Sequence, residues 1–432
     1  MEIPCLDEVF PGYRASEVSV LSEQLMGFSG AKIQELSIQC WEKSNGDDTR
    51  KEQKKDSPPP SLLFVKHIVF CDLDSTATEV ARQKDTRNRH SYLNETAFIE
   101  RFIPRLEQTG SFFFPKTHKV QHQRPTEDNG TETFTFFTDS LTPLARQVAV
   151  LDIDQLHGVL AWIARLHAVF HGSMDHPQDE AEGEAAHVSV LARHPDGLWS
   201  QGTHIAWEKR PTSELDKLAG NWRALTVAFS WPELECLGDR LASAAPFVAR
   251  QLSVANRRNA GRTTVVHGDA KPGNMFFLHQ EAAAQRGGCA VALIDYQWSG
   301  VALGVTDIVY LLATSATDEF IQDLDVEEGL LRPYYATFSS AVQGKQGEGD
   351  VYGFEELVID FQLAVIDYVR WAVSCRLGGE TPEKYSSRRK AVDLNLGSYR
   401  RSEHMLRFLF QMVERYLPAV EREQARASAV SS

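Results

Sequence analysis

The sequence predicts an α+β fold with a small antiparallel-sheet N-terminal lobe, which carries one helix, and a larger, mostly helical C-terminal lobe. Strand-like apolar runs such as "KIQELSIQCW", "LLFVKHIVF" and "FTFFT" dominate the first third of the chain. From about residue 150 the apolar residues recur at steps of three, four and seven, which is the pattern of a helix buried on one face. We therefore expect an N-lobe over residues 1–139 and a C-lobe over residues 140–432.

The composition is that of a folded soluble chain, since 42% of the 432 residues are hydrophobic and 24% are charged. The six cysteines are scattered without a CxxC pair, which argues against a zinc ribbon or a disulfide framework and indicates a reducing compartment. The start "MEIPCLDEVF" is unlike a signal peptide, and no apolar run approaches the ~20 residues of a membrane span. The net charge of −14 disfavours nucleic acid and anionic membranes as partners. We expect a cytoplasmic protein, and the sequence does not specify its oligomeric state.

Three features organise the predicted N-lobe. The charged and Pro-rich segment at about 43–61 lies between two strand-like runs, so we expect a flexible loop within one sheet. The Asn-Gly in "QHQRPTEDNGTET" fits a hairpin turn before the strand "FTFFT". The run "SYLNETAFIERFI" predicts the single helix, which should end near Pro104 because a proline disfavours helix in the residue before it.

The C-lobe should contain two long helices and a group of short strands. The helices are predicted over "IDQLHGVLAWIARLHAVF" and over about 355–377, where Gly378 and Gly379 form the stop signal. Three short apolar runs, "TTVVH", "MFFL" and "CAVALIDYQW", predict strands. The first two enclose the polar stretch "HGDAKPGN", and the third leads to Asp295.

The stretch "HGDAKPGN" places chemistry-bearing side chains in one loop. Asp269 and Asn274 reproduce the D-x-x-x-x-N spacing of a kinase catalytic loop, with His267 two residues earlier. Phosphoryl transfer needs a carboxylate that accepts the proton of the acceptor hydroxyl, which Asp269 could do. It also needs hard oxygen ligands for Mg²⁺, which the Asn274 amide and the Asp295 carboxylate could supply. Without other support, the same residues would read as a polar turn, because Asp, Pro, Gly and Asn are turn formers.

"HGDAKPGN" followed by "LIDYQW" resembles the aminoglycoside phosphotransferase and choline kinase superfamily, nearest its ecdysteroid-kinase-like members. The resemblance implies a bilobal protein-kinase-like fold that uses ATP and Mg²⁺ to phosphorylate a hydroxyl of a small-molecule acceptor. It implies Asp269 as the catalytic base, Asn274 and Asp295 as metal ligands, and Lys271 as a contact to the transferred phosphate. His267 would orient the loop. The acceptor itself is not specified.

The same resemblance extends to the N-lobe. Lys66 in "LLFVKHI" resembles the strand lysine that binds the ATP phosphates, and Glu95 in "SYLNETAF" resembles the helix glutamate that holds it. Gly27 and Gly30 lie between two strand-like runs, where small residues would let the backbone approach phosphates closely. The segment from Phe137 to Asp139 resembles the hinge, whose backbone would meet adenine.

Two other classes of protein compete with a kinase. Asp72, Asp74 and Thr76 in "VFCDLDSTA" match the D-x-D-x-T motif of haloacid-dehalogenase-type phosphatases. That reading would need a parallel-sheet domain, and it leaves Lys66 and Asp295 unexplained. The other class is a kinase-fold protein that binds nucleotide without catalysis.

Several further side chains have a structural and a functional interpretation. Asp307, at a predicted helix start, fits an N-terminal cap or dipole partner, whereas the resemblance implies that it braces the 267–274 loop. Tyr368 and Trp371 fit helix packing, with a place in the acceptor pocket as the alternative. His167 and His171, four residues apart on a helix, fit core or surface residues better than metal ligands.

Overall fold

The computed structural model describes residues 6–10, 13–26, 31–43, 62–71, 77–125, 130–174, 193–343 and 352–431. Gly27, Gly30 and the phosphatase-like residues 72–76 lie outside these ranges. Residues 44–61, which make up nearly all of the expected flexible loop, also lie outside them. The chain forms two compact units. One comprises Met1–Tyr92 with Phe114–Ala145, and the other comprises Leu93–Phe113 with Arg146–Ser432.

The first unit is built on a five-stranded antiparallel sheet with the order β1-β2-β3-β5-β4. Its elements are α1 (Leu6–Val9), β1 (Tyr13–Met26), β2 (Ala31–Lys43), β3 (Leu62–Cys71), β4 (Thr117–Gln123) and β5 (Thr131–Asp139). Because β2 and β3 are neighbours, the segment between them joins strands of one sheet, as expected from the sequence. The β4–β5 hairpin is also confirmed.

The sheet buries an apolar face that follows the alternation of its strands. Leu63 and Val65 of β3 point to one side together with Leu36 and Phe137, and α1 covers them. Successive strand residues face opposite sides, so Lys66 lies on the other face. There it is only 7% exposed, and its ammonium group lies 5.2 Å from the ring centroid of Tyr92 and 5.8 Å from that of Phe136.

The predicted helix near Glu95 is longer than expected at both ends. Helix α2 spans Glu79–Ala97, a π-helical turn follows over Phe98–Phe102, and α3 spans Ile103–Glu107. The start was missed because residues 79–90 are almost entirely polar and carry no apolar period. The predicted end at Pro104 was wrong because this proline lies in the first turn of α3, where its missing N–H needs no intrahelical partner.

The second unit is mostly helical. Its longer helices are α4 (Ile153–Phe170), α5 (Leu218–Ala228), α6 (Leu237–Leu252), α8 (Val305–Ser315), α10 (Arg332–Gln343), α11 (Phe354–Cys375) and α14 (Glu403–Ser431). Shorter ones are α7 (Gln280–Ala284), α9 (Asp318–Gln322), α12 (Pro382–Arg388) and α13 (Ser398–Arg401), and a two-residue strand, β6 (Ala145–Arg146), lies at the unit boundary. The helices predicted over 153–170 and about 355–377 are confirmed. Within the described ranges, no helix is long and apolar enough to cross a membrane.

Four short strands of the second unit frame the polar loop. Strand β7 (Thr264–Val266) pairs with β10 (Gly300–Ala302), and β8 (Met275–Leu278) pairs with β9 (Val291–Leu293), both antiparallel. The 267–274 loop joins β7 to β8, and the 294–299 loop joins β9 to β10. The pairing of these strands therefore brings the two loops together. The α+β fold class predicted from the sequence is confirmed.

Candidate active site

A glycine and a buried carboxylate fix the backbone of the 267–274 loop. Gly268 has φ +81°, and a Cβ at this position would clash with the Trp298 carbonyl oxygen. The N–H groups of His267 and Gly268 donate to the Asp307 carboxylate at 2.7 and 2.9 Å. Asp307 therefore braces the loop. It is not the N-cap of α8, which is Gly304.

Charges and hydrogen bonds keep Asp307 ionised despite its burial. Burial raises its pKa, but the hydrogen bond and charge of His167, together with the Gly268 N–H, hold the pKa below its ordinary value. The Asp307 carboxylate and His167 Nε2 lie 3.2 Å apart, and His167 Nδ1 lies 2.7 Å from the Tyr334 hydroxyl. His167 is thus a fully buried structural residue.

His267 orients the loop from within. Burial lowers its pKa, which favours the neutral ring. Its Nδ1 accepts the N–H of Asp269 at 3.3 Å, and its Nε2 lies 3.1 Å from the carbonyl oxygen of Ile294. A neutral ring protonated on Nε2 satisfies both contacts, and it ties the 267–274 loop to the residue before Asp295.

Asp269 is 4% exposed and receives three side-chain hydrogen bonds. Tyr310 donates to its Oδ1 at 2.6 Å, while Lys271 and Asn274 donate to its Oδ2 at 2.8 and 3.1 Å. Burial would raise the pKa of Asp269, but the charge of Lys271 and these hydrogen bonds bring it below the ordinary value. A carboxylate offers about four lone-pair positions, so one is left for a further hydroxyl.

Lys271 is the cationic partner of this carboxylate. Burial lowers its pKa, but the charges of Asp269 and Asp295 raise it above the ordinary value. The loop therefore holds an ionised acid and a protonated amine in contact. It also follows that Asp295 lies within electrostatic range of Lys271.

The predicted metal ligands, Asn274 and Asp295, carry oxygens that suit a hard cation. The Asn274 amide nitrogen donates to the backbone oxygen and to Oδ2 of Asp269, at 2.9 and 3.1 Å. Its Oδ1 makes no hydrogen bond within the described part of the chain, so this oxygen is left available. Asp295 follows β9, is half-buried and has φ +68°, a region in which Asp is tolerated. The amide oxygen of Asn274 and the carboxylate of Asp295 are ligand types that suit Mg²⁺. Among the described residues there is no group of three or more His, Cys, Asp and Glu side chains that could hold a metal ion by themselves.

The α2 residues of the second unit lie beside the 294–299 loop. Glu95 is 5% exposed, and burial, together with the charge of Glu95, raises the pKa of Tyr296. Its neighbour Asn94, fully buried, donates to the carbonyl oxygens of Tyr296 and Ser299 at 2.9 and 2.8 Å and accepts the N–H of Trp199 at 2.7 Å. Sequence reasoning missed Asn94, because in a largely polar helix nothing but its position beside Glu95 set it apart.

The remaining predicted residues belong to the first unit. Lys66 is buried against two aromatic rings, those of Tyr92 and Phe136. Phe137 is buried in β5, between β3 and β4. The backbone N–H of Asp139 donates to the Lys116 oxygen at 2.9 Å, and its side chain lies 2.7 Å from His118 Nε2. The Asp139 donor is therefore already used within the first unit.

An ionised carboxylate beside a protonated lysine and a metal-compatible amide is the set of groups that phosphoryl transfer needs. The model of the ecdysteroid kinase-like family matches residues 75–344, more than half of the chain, and the chain belongs to this family. It is accordingly a small-molecule kinase. The matched region includes Glu95, the 267–274 loop and Asp295, whereas Lys66 precedes it. Family membership does not favour the phosphatase or the silent nucleotide-binding alternative.

Solved structures of small-molecule kinases show distant similarity. A choline kinase from Streptococcus pneumoniae aligns with 10% identity and a TM-score of 0.35 over 95% of this chain and 96% of that chain. An amicoumacin kinase in complex with AMP-PNP, Ca²⁺ and Ami aligns with 11% identity and a TM-score of 0.40 over 92% of this chain and 88% of that chain. An ethanolamine kinase from Plasmodium vivax aligns with 8% identity and a TM-score of 0.37 over 87% of this chain and 79% of that chain. A search of curated proteins found no match.

Proposed function

We propose that this protein transfers the γ-phosphate of ATP to a hydroxyl group of a small molecule in a Mg²⁺-dependent reaction. The observation that carries the proposal is the ionised, nearly buried Asp269 with one lone-pair position left. That position can accept the proton of the acceptor hydroxyl. As the proton leaves, the hydroxyl oxygen forms a bond to the γ-phosphorus, and the bond from this phosphorus to the leaving ADP oxygen breaks.

The neighbours of Asp269 have separate roles in this proposal. The Lys271 ammonium contacts the transferred phosphoryl group, whose negative charge it balances. Tyr310 and Asn274 hold the Asp269 carboxylate in one orientation through hydrogen bonds to different oxygens. Asp307 fixes the backbone of the 267–274 loop, which carries Asp269, Lys271 and Asn274, whereas Tyr310 lies on α8.

The cofactor residues are proposed from the resemblance and from their environments. Asn274 and Asp295 would hold Mg²⁺, which neutralises phosphate charge when bound. The resemblance assigns Lys66 and Glu95 to the nucleotide phosphates, and it assigns the same role to Gly27 and Gly30, which lie outside the described residues. The backbone from Phe137 to Asp139 would meet adenine through groups other than the Asp139 N–H.

The test is a screen of hydroxylated compounds for ATP consumption with and without Mg²⁺. The panel should include an ecdysteroid, choline, ethanolamine and amicoumacin. Asp269→Asn should reduce turnover by at least about a thousandfold, since it removes the base, while an ATP-induced rise in melting temperature persists. Asp154→Asn, at an exposed position of α4, is the matched control and should behave as the wild type.

Other outcomes would contradict the proposal. Turnover that survives Asp269→Asn but is lost in Asp72→Asn would indicate a phosphatase. A melting-temperature response to ATP with no turnover on any compound would indicate a binding protein.

A further inference from the structure

Thr203 lies outside both loops of the candidate site and is hydrogen-bonded to each of them. Its backbone N–H donates to the Trp298 carbonyl oxygen at 2.9 Å, in the loop that carries Asp295. Its hydroxyl donates to the Gly268 carbonyl oxygen at 3.1 Å, one residue before Asp269. A single residue, only 4% exposed, therefore joins the loop of the proposed base to the loop of a proposed metal ligand.

The backbone of Thr203 has an unfavourable conformation. Its φ is +62°, in the left-handed region that is rare for a β-branched residue. A glycine adopts this conformation readily, so the backbone alone gives no reason for a threonine here. Strained residues persist where surrounding contacts over-determine them, and they concentrate at functional sites. The hydroxyl, which a glycine would lack, is therefore the feature of Thr203 that offsets the strain.

The segment that contains Thr203 packs closely against the strands that frame the two loops. The N–H of Gly202 donates to the Val301 oxygen at 2.7 Å. A Cβ on Gly202 would lie 2.7 Å from Cγ2 of Val266 in β7 and 2.9 Å from the carbonyl oxygen of Gly300 in β10. Because only a glycine allows this approach, the residue before Thr203 fixes its position relative to both strands.

A buried lysine also holds this segment. Lys209 is 4% exposed, and its ammonium group donates to the carbonyl oxygen of Thr203 at 3.2 Å and to that of Gln201. The same group lies 4.9 Å from the Trp199 ring centroid, and the Trp199 indole N–H donates to the Gln297 oxygen at 2.8 Å. Hydrogen bonds from a charged donor are about twice as strong as neutral ones, so these contacts help to hold Thr203 in its strained conformation.

Two other hydrogen bonds join the two loops directly, and both involve His267. The Ser299 hydroxyl donates to the carbonyl oxygen of His267 at 3.1 Å, and Nε2 of His267 lies 3.1 Å from the carbonyl oxygen of Ile294. These bonds remain when the Thr203 hydroxyl is removed, so the loops should stay together and the chain should stay folded. The peptide group that leads into Asp269 would lose its partner, and its orientation would be less restricted.

We propose that Thr203 is a positioning residue that holds Asp269 at a fixed distance from Asp295. It does so through the hydrogen bond from its hydroxyl to the Gly268 oxygen. A base and a metal ligand on separate loops need such a constraint, because a misplacement of about 1 Å can lower a rate roughly a hundredfold. This inference rests on the proposed phosphotransferase function, and it assigns no chemistry to Thr203 itself.

The test compares Thr203→Ser, which keeps the hydroxyl, with Thr203→Ala, which differs from the serine variant by that one oxygen. Steady-state consumption of ATP is measured on the full chain with Mg²⁺ and with water as the phosphoryl acceptor. Thr203→Ala should lower kcat about tenfold, because the peptide group before the base is no longer held. The KM for ATP should stay within about twofold of the wild type, and Thr203→Ser should keep kcat within about threefold.

A glycine variant separates positioning from backbone strain. Thr203→Gly adopts the positive φ without strain and keeps the N–H that donates to the Trp298 oxygen, so it should fold. It lacks the hydroxyl, and its kcat should therefore fall as in Thr203→Ala. Ser230→Ala is the matched control, because Ser230 has φ +58° at an exposed position, and its kcat should equal that of the wild type. Melting temperatures establish that each variant is folded, and Thr203→Gly carries the comparison with serine if Thr203→Ala is not.

The possible outcomes distinguish the inference from the function beneath it. A kcat in the folded alanine or glycine variant equal to that of the serine variant would overturn the inference and leave the function intact. The same holds if serine loses as much kcat as alanine, if only the KM for ATP changes, or if neither variant without the hydroxyl folds. Absence of Asp269-dependent ATP consumption in the wild type would remove both the function and the inference.

Discussion

Replacing Asp307 by Asn changes a single atom type but should destabilise the second unit substantially. The carboxylate accepts two buried backbone N–H groups, and hydrogen bonds to a charged acceptor contribute about 1.5–3 kcal/mol each. An amide can keep one of them, as a neutral bond of about 1 kcal/mol, while its NH₂ group faces the other N–H. The expected loss is about 2–5 kcal/mol, a large part of the roughly 5–15 kcal/mol that stabilises a typical domain.

Urea unfolding followed by tryptophan fluorescence measures this loss, because all tryptophans except Trp41 lie in the second unit. Asp154→Asn is the control, and at its exposed position it should change the free energy of unfolding by less than about 0.5 kcal/mol. A loss below about 1 kcal/mol in Asp307→Asn would refute the bracing role of Asp307, because that role rests on the two backbone hydrogen bonds.

The same carboxylate gives a pH dependence with a defined sign. The folded pKa of Asp307 lies below its unfolded value of about 4, so its stabilisation is complete above that pH. It is lost as the pH falls from about 4 through the folded pKa. The Asn variant should lack this part of the acid destabilisation, and unfolding curves between about pH 3 and 7 would show it.

Two more substitutions test the geometry of the 267–274 loop. Tyr310→Phe removes the hydrogen bond to Asp269 and should lower kcat about tenfold while the affinity for ATP is retained. An unchanged kcat would show that this hydrogen bond does not orient the proposed base. Gly268→Ala should destabilise by about 3 kcal/mol or more, because it combines a positive φ with a clash against the Trp298 carbonyl. Its matched control is Gly220→Ala, at a helical position with open space around it, where melting temperature should rise slightly.

The sequence by itself determined the local elements and the residue types of the loop. Strand alternation and helical period identified the sheet and helices α4 and α11, since both patterns depend on near neighbours in the chain. The spacing from Asp269 to Asn274 could be read for the same reason, because both ends of the motif lie in one loop. The first half of α2 is polar and has no apolar period, and for this reason the start of that helix was missed.

Only the tertiary structure decided which distant residues complete the site. Tyr310 is 41 residues from Asp269, Asp307 is 40 from His267, and Asn94 is 202 from Tyr296, yet each pair is in hydrogen-bond contact. Such contacts follow from how helices and strands pack against one another, which the periodicity of one segment does not encode. The identity of the proposed base was therefore local information, whereas the groups that hydrogen-bond to it depend on the packing of the whole unit.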